Sequence, residues 1–206
     1  MKRFLIALSL LMASTLAFAM EGPDELVKRT AEDVLAVVKN DKEIQAGNQE
    51  RIFALAEEKI LPNFNFEKVS RLVLGKNWTK ANPEQKAAFQ TEFKTLLLRT
   101  YAVALSKYKN QTIEYKPFRM ENDATTASVK TLILQPGGQP IAVDYTLAKQ
   151  ADSWKVYDIV IEGVSLVTNY RGQFAQEIRQ NGLDSLIKKL AEKNTAAKVQ
   201  QAKATS

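Results

Sequence analysis

Apolar residues recur at helical spacing from Gly22 to Leu105, alternate with polar ones from about Gln111 to Glu162, and return to helical spacing beyond Gly163. That order predicts helices, then strands, then helices. Pro23-Asp24-Glu25 opens a first helix with early negative charge, and Leu26, Val27, Val34, Leu35 and Val38 supply its apolar stripe. A turn near Gly47-Asn48 leads to a second helix over Glu50 to Ile60, stopped by Pro62, and a short third helix lies between Asn63 and Gly75. The best-marked start is Asn82-Pro83-Glu84-Gln85: an N-cap, a proline at the first helical position and a glutamine that closes a capping box. Phe89, Phe93, Leu96, Leu97, Thr100, Tyr101 and Ala104 then give one apolar face on an uninterrupted helix of roughly 25 residues.

Four strands follow, over Thr112 to Met120, Ala124 to Leu134, Pro140 to Lys149 and Trp154 to Glu162. The turn signals between them are Glu121-Asn122-Asp123, Gln135-Pro136-Gly137-Gly138 and Gln150-Ala151-Asp152-Ser153. Connections this short dictate an antiparallel meander. Alternation places Val129, Thr131 and Ile133 on one face, as it does Ile141, Val143, Tyr145 and Leu147. It likewise groups Tyr157, Ile159 and Ile161, with Lys130, Asp144 and Asp158 on the opposite face of their strands. The result is one α+β domain over residues 20–193, a four-stranded antiparallel sheet between N- and C-terminal helices. Residues 194–206, made only of small, polar and basic side chains and one valine, read as a flexible tail.

The first nineteen residues have a different grammar. Lys2 and Arg3 precede an apolar run from Phe4 to Leu16, and Ala17-Phe18-Ala19 supplies the small residues of a cleavage site. The run is short of the ~20 residues that span a bilayer. Residues 1–19 are therefore expected to be a cleavable signal peptide. Composition narrows the chemistry. The net charge of +6 includes Lys2 and Arg3 and is spread along the chain, so it does not call for nucleic acid. There is no cysteine to staple the fold and no histidine for a Ser-His-Asp triad, a common zinc site or neutral-pH proton transfer. Catalytic residues, metal ligands and cofactors are accordingly not expected. Gly137-Gly138 is a hairpin turn rather than a phosphate loop, and Glu57-Glu58, Glu121 with Asp123, and Lys188-Lys189 with Lys193 read as solvated charge.

Two blocks carry a resemblance. Arg71-Leu72-Val73-Leu74-Gly75-Lys76-Asn77-Trp78 is followed by Pro83-Glu84-Gln85, Phe89, Phe93 and Leu98-Arg99-Thr100-Tyr101-Ala102. Glu162-Gly163-Val164-Ser165-Leu166-Val167-Thr168-Asn169-Tyr170-Arg171 with Phe174 forms the second. In these stretches the chain resembles the MlaC family, also called the toluene-tolerance family, of periplasmic phospholipid-binding proteins. The resemblance implies a twisted antiparallel sheet with helices packed over it, NTF2-like in shape. It further implies a monomeric shuttle in a Gram-negative periplasm, carrying phospholipid between an outer-membrane lipoprotein complex and an inner-membrane ABC transporter with an MCE domain. Such a carrier would help maintain outer-membrane lipid asymmetry.

A lipid carrier needs aliphatic walls. Each methylene kept from water is worth about 0.8 kcal/mol, so two acyl chains with ~28 methylenes would cost ~20 kcal/mol to expose. Val129, Ile133, Val143, Tyr145, Leu147, Ile159 and Ile161 are the expected sheet wall, and Leu97, Tyr101, Leu105, Leu166, Val167, Tyr170 and Phe174 the opposing helical wall. Each of these also fits an ordinary core. Arg99 and Arg171 are the candidate contacts for a lipid head group or a partner, and structural ion pairing is the other reading of both. Two further classes stay open: an NTF2-like enzyme using Asp144 or Asp158 with tyrosine, and a chaperone or adaptor with a peptide groove.

Overall fold

The computed structural model describes residues 20–108, 110–151 and 153–204, so the expected signal peptide lies outside the described residues. Helix α1 (Pro23–Asn40) starts where the Gly22 N–H donates to the Glu25 carboxylate at 3.1 Å. Two short helices follow, α2 (Lys42–Gln45), capped by Asp41, and α3 (Gln49–Leu55), capped by Asn48. A π turn (Ala56–Ile60) and a 3-10 turn (Leu61–Asn63) lead into α4 (Phe66–Leu74) and α5 (Lys76–Lys80). Helix α6 (Pro83–Leu97) carries the expected capping box: Asn82 Oδ1 accepts from the Gln85 N–H at 2.7 Å, and Gln85 Oε1 accepts from the Asn82 N–H at 3.1 Å.

The expected uninterrupted helix after Pro83 is corrected. A second π turn (Leu98–Ala102) separates α6 from α7 (Val103–Ser106). A π turn lodges one extra residue, which rotates everything after it by about 100° relative to a continuous α-helix. The Thr100 hydroxyl donates to the Leu96 carbonyl at 2.7 Å within this turn.

The meander is present as β1 (Thr112–Tyr115), β2 (Thr126–Leu134), β3 (Ile141–Gln150) and β4 (Ser153–Ile161), each antiparallel to the next. The four-strand expectation gains a fifth strand, β5 (Val164–Ser165), paired with Val160 and Ile161. Glu162 and Gly163 both hold positive φ, 49° and 79°, which makes the two-residue turn that a tight hairpin demands. Periodicity cannot register a strand this short.

In the ladder Val129 stands opposite Tyr145, and Tyr145 opposite Ile159. The grouping of Tyr157 with Ile159 is corrected. Thr146 pairs Asp158 and Leu147 pairs Val156, leaving Tyr157 without an opposite number. This irregularity breaks the alternation. Tyr157 packs on a cluster of helices, whereas Ile159 packs on the sheet core.

Helices α8 (Leu166–Asn181) and α9 (Leu183–Ala204) close the chain. The flexible-tail reading of residues 194–206 is corrected as far as Ala204, which still belongs to α9. Asn194 is buried, and its Nδ2 donates to the Glu92 carbonyl at 3.0 Å and to the Glu92 carboxylate at 2.8 Å, which holds α9 against α6.

Among the described residues three apolar clusters result. The first joins α4, α6, α8 and α9 around Phe89, Phe93, Tyr170 and Phe174, with Phe93 stacked 5.3 Å from Phe89 and edge-on to Tyr170 at 5.1 Å. The second sets Leu26 and Val27 of α1 against Ala127, Val129, Leu147, Trp154 and Val156 of the sheet. The third packs Val34 and Val38 against Ile44, Ile52 and Leu55.

Candidate functional site

Between α1 and the sheet the packing leaves a cavity of about 460 Å³. One wall is the inward face of α1, on which Leu26, Thr30, Val34 and Val38 follow at helical spacing with Val27, Ala31 and Leu35 beside them. The facing wall is β-branched: Ile113 of β1, Ile133 of β2, Ile141 of β3 and Ile159 of β4, with Tyr145 and Val156. Ile60 and Phe64 close one side, and Ala104 and Leu105 close another.

Its polar groups are few and local. Asn63 Nδ2 donates to Thr30 Oγ1 at 3.0 Å and to the Lys59 carbonyl at 2.9 Å, so these two lining side chains serve each other. The Tyr145 phenol is pushed up to about 12, chiefly because the surrounding protein excludes water, with the Tyr115 ring nearby adding to it and a hydrogen bond with Thr131 opposing it. Thr131 Oγ1 in turn donates to the Val143 carbonyl at 2.8 Å. Among the described residues that line the cavity, Lys107 is the one that is charged. Apolar walls with a few placed polar groups suit an aliphatic ligand.

Of the expected sheet wall, Ile133, Tyr145 and Ile159 line the cavity. Val129 and Leu147 lie in the solid core beside it, 2% and 0% exposed, and Val143 and Ile161 pair with each other on the same sheet without lining it. The expected helical wall is corrected: only Leu105 belongs to the cavity. Leu97, Tyr101 and Val167 pack on the helical cluster, and Tyr170 and Phe174 are part of it. Leu166, the first residue of α8, is half-buried and does not line the cavity. The true opposite wall is α1. Its stripe is plain in the sequence, but an amphipathic stripe does not name the surface it packs on.

The candidate head-group residues are also displaced. The Arg99 guanidinium lies 5.5 Å from the Phe53 ring centre, its Nε buried without a hydrogen bond. Arg171 is exposed on α8, beside Gly75. Neither lines the cavity. Lys107, Tyr108, Gln111 and Gln135, which do, carry no sequence signal that would have singled them out. Asp158 is engaged in structure: its carboxylate accepts from the Ser165 hydroxyl at 2.6 Å and from the Val167 N–H at 3.1 Å, anchoring the start of α8. Asp144 stands opposite Lys130 across β2 and β3. Among the described residues no cluster of His, Cys, Asp or Glu could hold a metal ion, and no helix is long and apolar enough to cross a membrane.

Comparison with known proteins agrees with this architecture. The chain is 30% identical to the toluene tolerance protein ttg2D of Pseudomonas putida over 170 residues, covering 82% of this chain and 79% of that one. It is 26% identical over 177 residues to the intermembrane phospholipid transport system binding protein MlaC of Haemophilus influenzae, covering 84% and 83%. Among solved structures it superposes with a TM-score of 0.80 on a phospholipid-binding protein from Ralstonia solanacearum in complex with a phospholipid. That pair shares 39% identity over 84% of this chain and 97% of the other. The family model of the MlaC protein matches residues 28–192. The chain therefore belongs to the MlaC family.

Proposed function

We propose that this protein is a periplasmic phospholipid carrier that holds acyl chains between α1 and the sheet. The observation that carries the reading is the cavity: about 460 Å³, walled by Leu, Val and Ile side chains, with a single charged lining residue among the described residues. Support comes from the Ralstonia relative, which binds a phospholipid in the same fold. The leader-like residues 1–19 support export. On this reading the NTF2-like outline serves as a rigid shell, and no catalytic group takes part. Shielding tails worth ~20 kcal/mol makes spontaneous release slow, so unloading requires docking on a membrane complex. The partners this reading implies are an outer-membrane lipoprotein complex and an inner-membrane ABC transporter with an MCE domain, between which lipid moves to maintain outer-membrane asymmetry.

The test is native mass spectrometry with lipid extraction on protein purified from periplasm without detergent. The expected result is a near-stoichiometric adduct of phospholipid mass. A clean apo mass, together with no uptake from donor vesicles, would sink the proposal.

A further inference from the structure

Charge is unevenly divided over the fold. Helices α4, α5, α6, α8 and α9 carry 13 Lys and Arg against 6 Asp and Glu, whereas residues 21–63 carry 6 against 10. In that N-terminal stretch cations are neutralised locally: Arg29 pairs with Glu21 at 2.6 Å, Arg51 with Asp41 at 2.7 Å and Lys59 with Glu58 at 2.9 Å. In the helical cluster it is the acids that are engaged. Glu177 takes Lys189 at 2.7 Å, Asp184 accepts from the Gln85 amide at 2.7 Å, and Glu92 from the Asn194 amide at 2.8 Å. The excess positive charge there is left without partners.

Three of these cations meet at Gly75, whose φ of 54° makes the sharp break between α4 and α5. Arg71 stands one turn earlier, its carbonyl accepting the Gly75 N–H at 3.0 Å, and Lys76 comes next in the chain. From α8 the Arg171 guanidinium reaches within 3.6 Å of the place a Gly75 Cβ would occupy. Arg71, Lys76 and Arg171 are exposed, and among the described residues their side chains make no ion pair and no hydrogen bond. Like charges gathered without a counter-ion repel one another, so the cluster is relieved when an anionic surface approaches.

Independently of the carrier reading, we infer that the α4–α5–α8 face is a docking surface for an anionic lipid bilayer. Protein interfaces draw most of their energy from buried aromatic or aliphatic anchors. The large hydrophobic residues exposed among the described ones are Met20, Met120 and Val164, and none belongs to these helices. A basic face without anchors suits a diffuse plane of head-group charge. None of the residues that line the cavity lies on these helices either, so docking leaves the cavity uncovered.

The experiment sediments protein purified from periplasm with sucrose-loaded vesicles, in low salt. The vesicles are either pure phosphatidylcholine or equal parts phosphatidylcholine and phosphatidylglycerol. Binding is expected to the mixed vesicles alone and to vanish in concentrated salt. Combining Arg71→Gln, Lys76→Gln and Arg171→Gln should weaken it about 100-fold, from about fivefold per cation. Lys42→Gln, Lys130→Gln and Lys149→Gln together remove the same charge from exposed positions outside these helices, and should keep it within about threefold. Arg71→Lys with Arg171→Lys should retain it. Equal loss in the two glutamine variants reduces the effect to net charge and overturns the face, as does wild-type binding to both vesicles or to neither. Retention on immobilised polyglutamate through the same three cations, without vesicle binding, would give the face to an acidic protein segment instead and overturn the bilayer. Wild-type protein that sediments with the mixed vesicles yet holds no phospholipid would sink the carrier reading and keep this one.

Discussion

Tyr101 and Leu105 are four residues apart, a spacing that stacks two side chains on one face of an α-helix, yet they point into different cores. Tyr101 packs on the helical cluster, while Leu105 lines the cavity beside Tyr108. The π turn Leu98–Ala102 accounts for the divergence. Deleting Thr100 would restore regular helical phase and swing Leu105 and Tyr108 off the cavity wall. The expected outcome is retained helical circular dichroism with lipid retention reduced at least about tenfold. Undiminished retention would show that the turn does not shape the cavity.

Filling the cavity separates binding from folding. Ala31 faces the empty space from α1, so Ala31→Trp has room for its ring. Overpacking a solid core costs about 1–3 kcal/mol, but here the cost should stay under about 1 kcal/mol. Differential scanning calorimetry should then give a Tm within about 4 °C of wild type, while vesicle uptake is abolished. Normal uptake by this variant would place the ligand elsewhere.

Truncation should divide wall from core along a single strand. Leu147 is 0% exposed in the sheet core, whereas Ile141 of the same strand borders the cavity. Leu147→Ala is expected to cost about 2–5 kcal/mol in denaturant unfolding. Ile141→Ala merely enlarges an existing space and should cost about 1 kcal/mol or less. Equal losses would contradict the hollow on that side of the sheet.

Two phenols set an alkaline limit. Tyr101 and Tyr145 are both pushed up from 10.0 to about 12, first by exclusion of water. Their remaining causes differ: Tyr101 is raised further by Tyr170, and Tyr145 by Tyr115 against an opposing bond from Thr131. The folded chain keeps these protons where the unfolded chain gives them up. Their contribution to stability is therefore complete below pH 10 and lost as pH rises toward 12. Thermal unfolding should show Tm falling over that window, less steeply in Tyr145→Phe. Parallel slopes would mean the Tyr145 phenol titrates normally.

Much of this was written in the sequence. Alternation and turn signals placed β1 to β4 in order, and Asn82-Pro83-Glu84-Gln85 marked a helix start through local bonds that the structure contains. Local chemistry leaves local marks. The π turns, the unpaired Tyr157 and the two residues of β5 left none, because each is a departure of one or two residues from periodicity that tertiary packing decides. The sheet half of the cavity was partly legible for the same reason that its faces alternate. Its helical half was misassigned because Phe89, Phe93, Tyr170 and Phe174 pack on one another instead of lining the cavity. Asn194 reads as tail by composition, yet its amide finds Glu92 a hundred residues away.

None of the cavity-lining residues belongs to the aromatic helical cluster. Descent can exploit that separation. Natural proteins drift close to the minimum stability that function tolerates, and most changes push them toward it. On the carrier reading, substitutions at Ala31, Leu35 or Ile141 would alter which cargo fits while the stacked rings of Phe89 and Phe93 go on holding the other half together. A lineage can therefore try longer, shorter or more branched cargo without first acquiring compensating mutations.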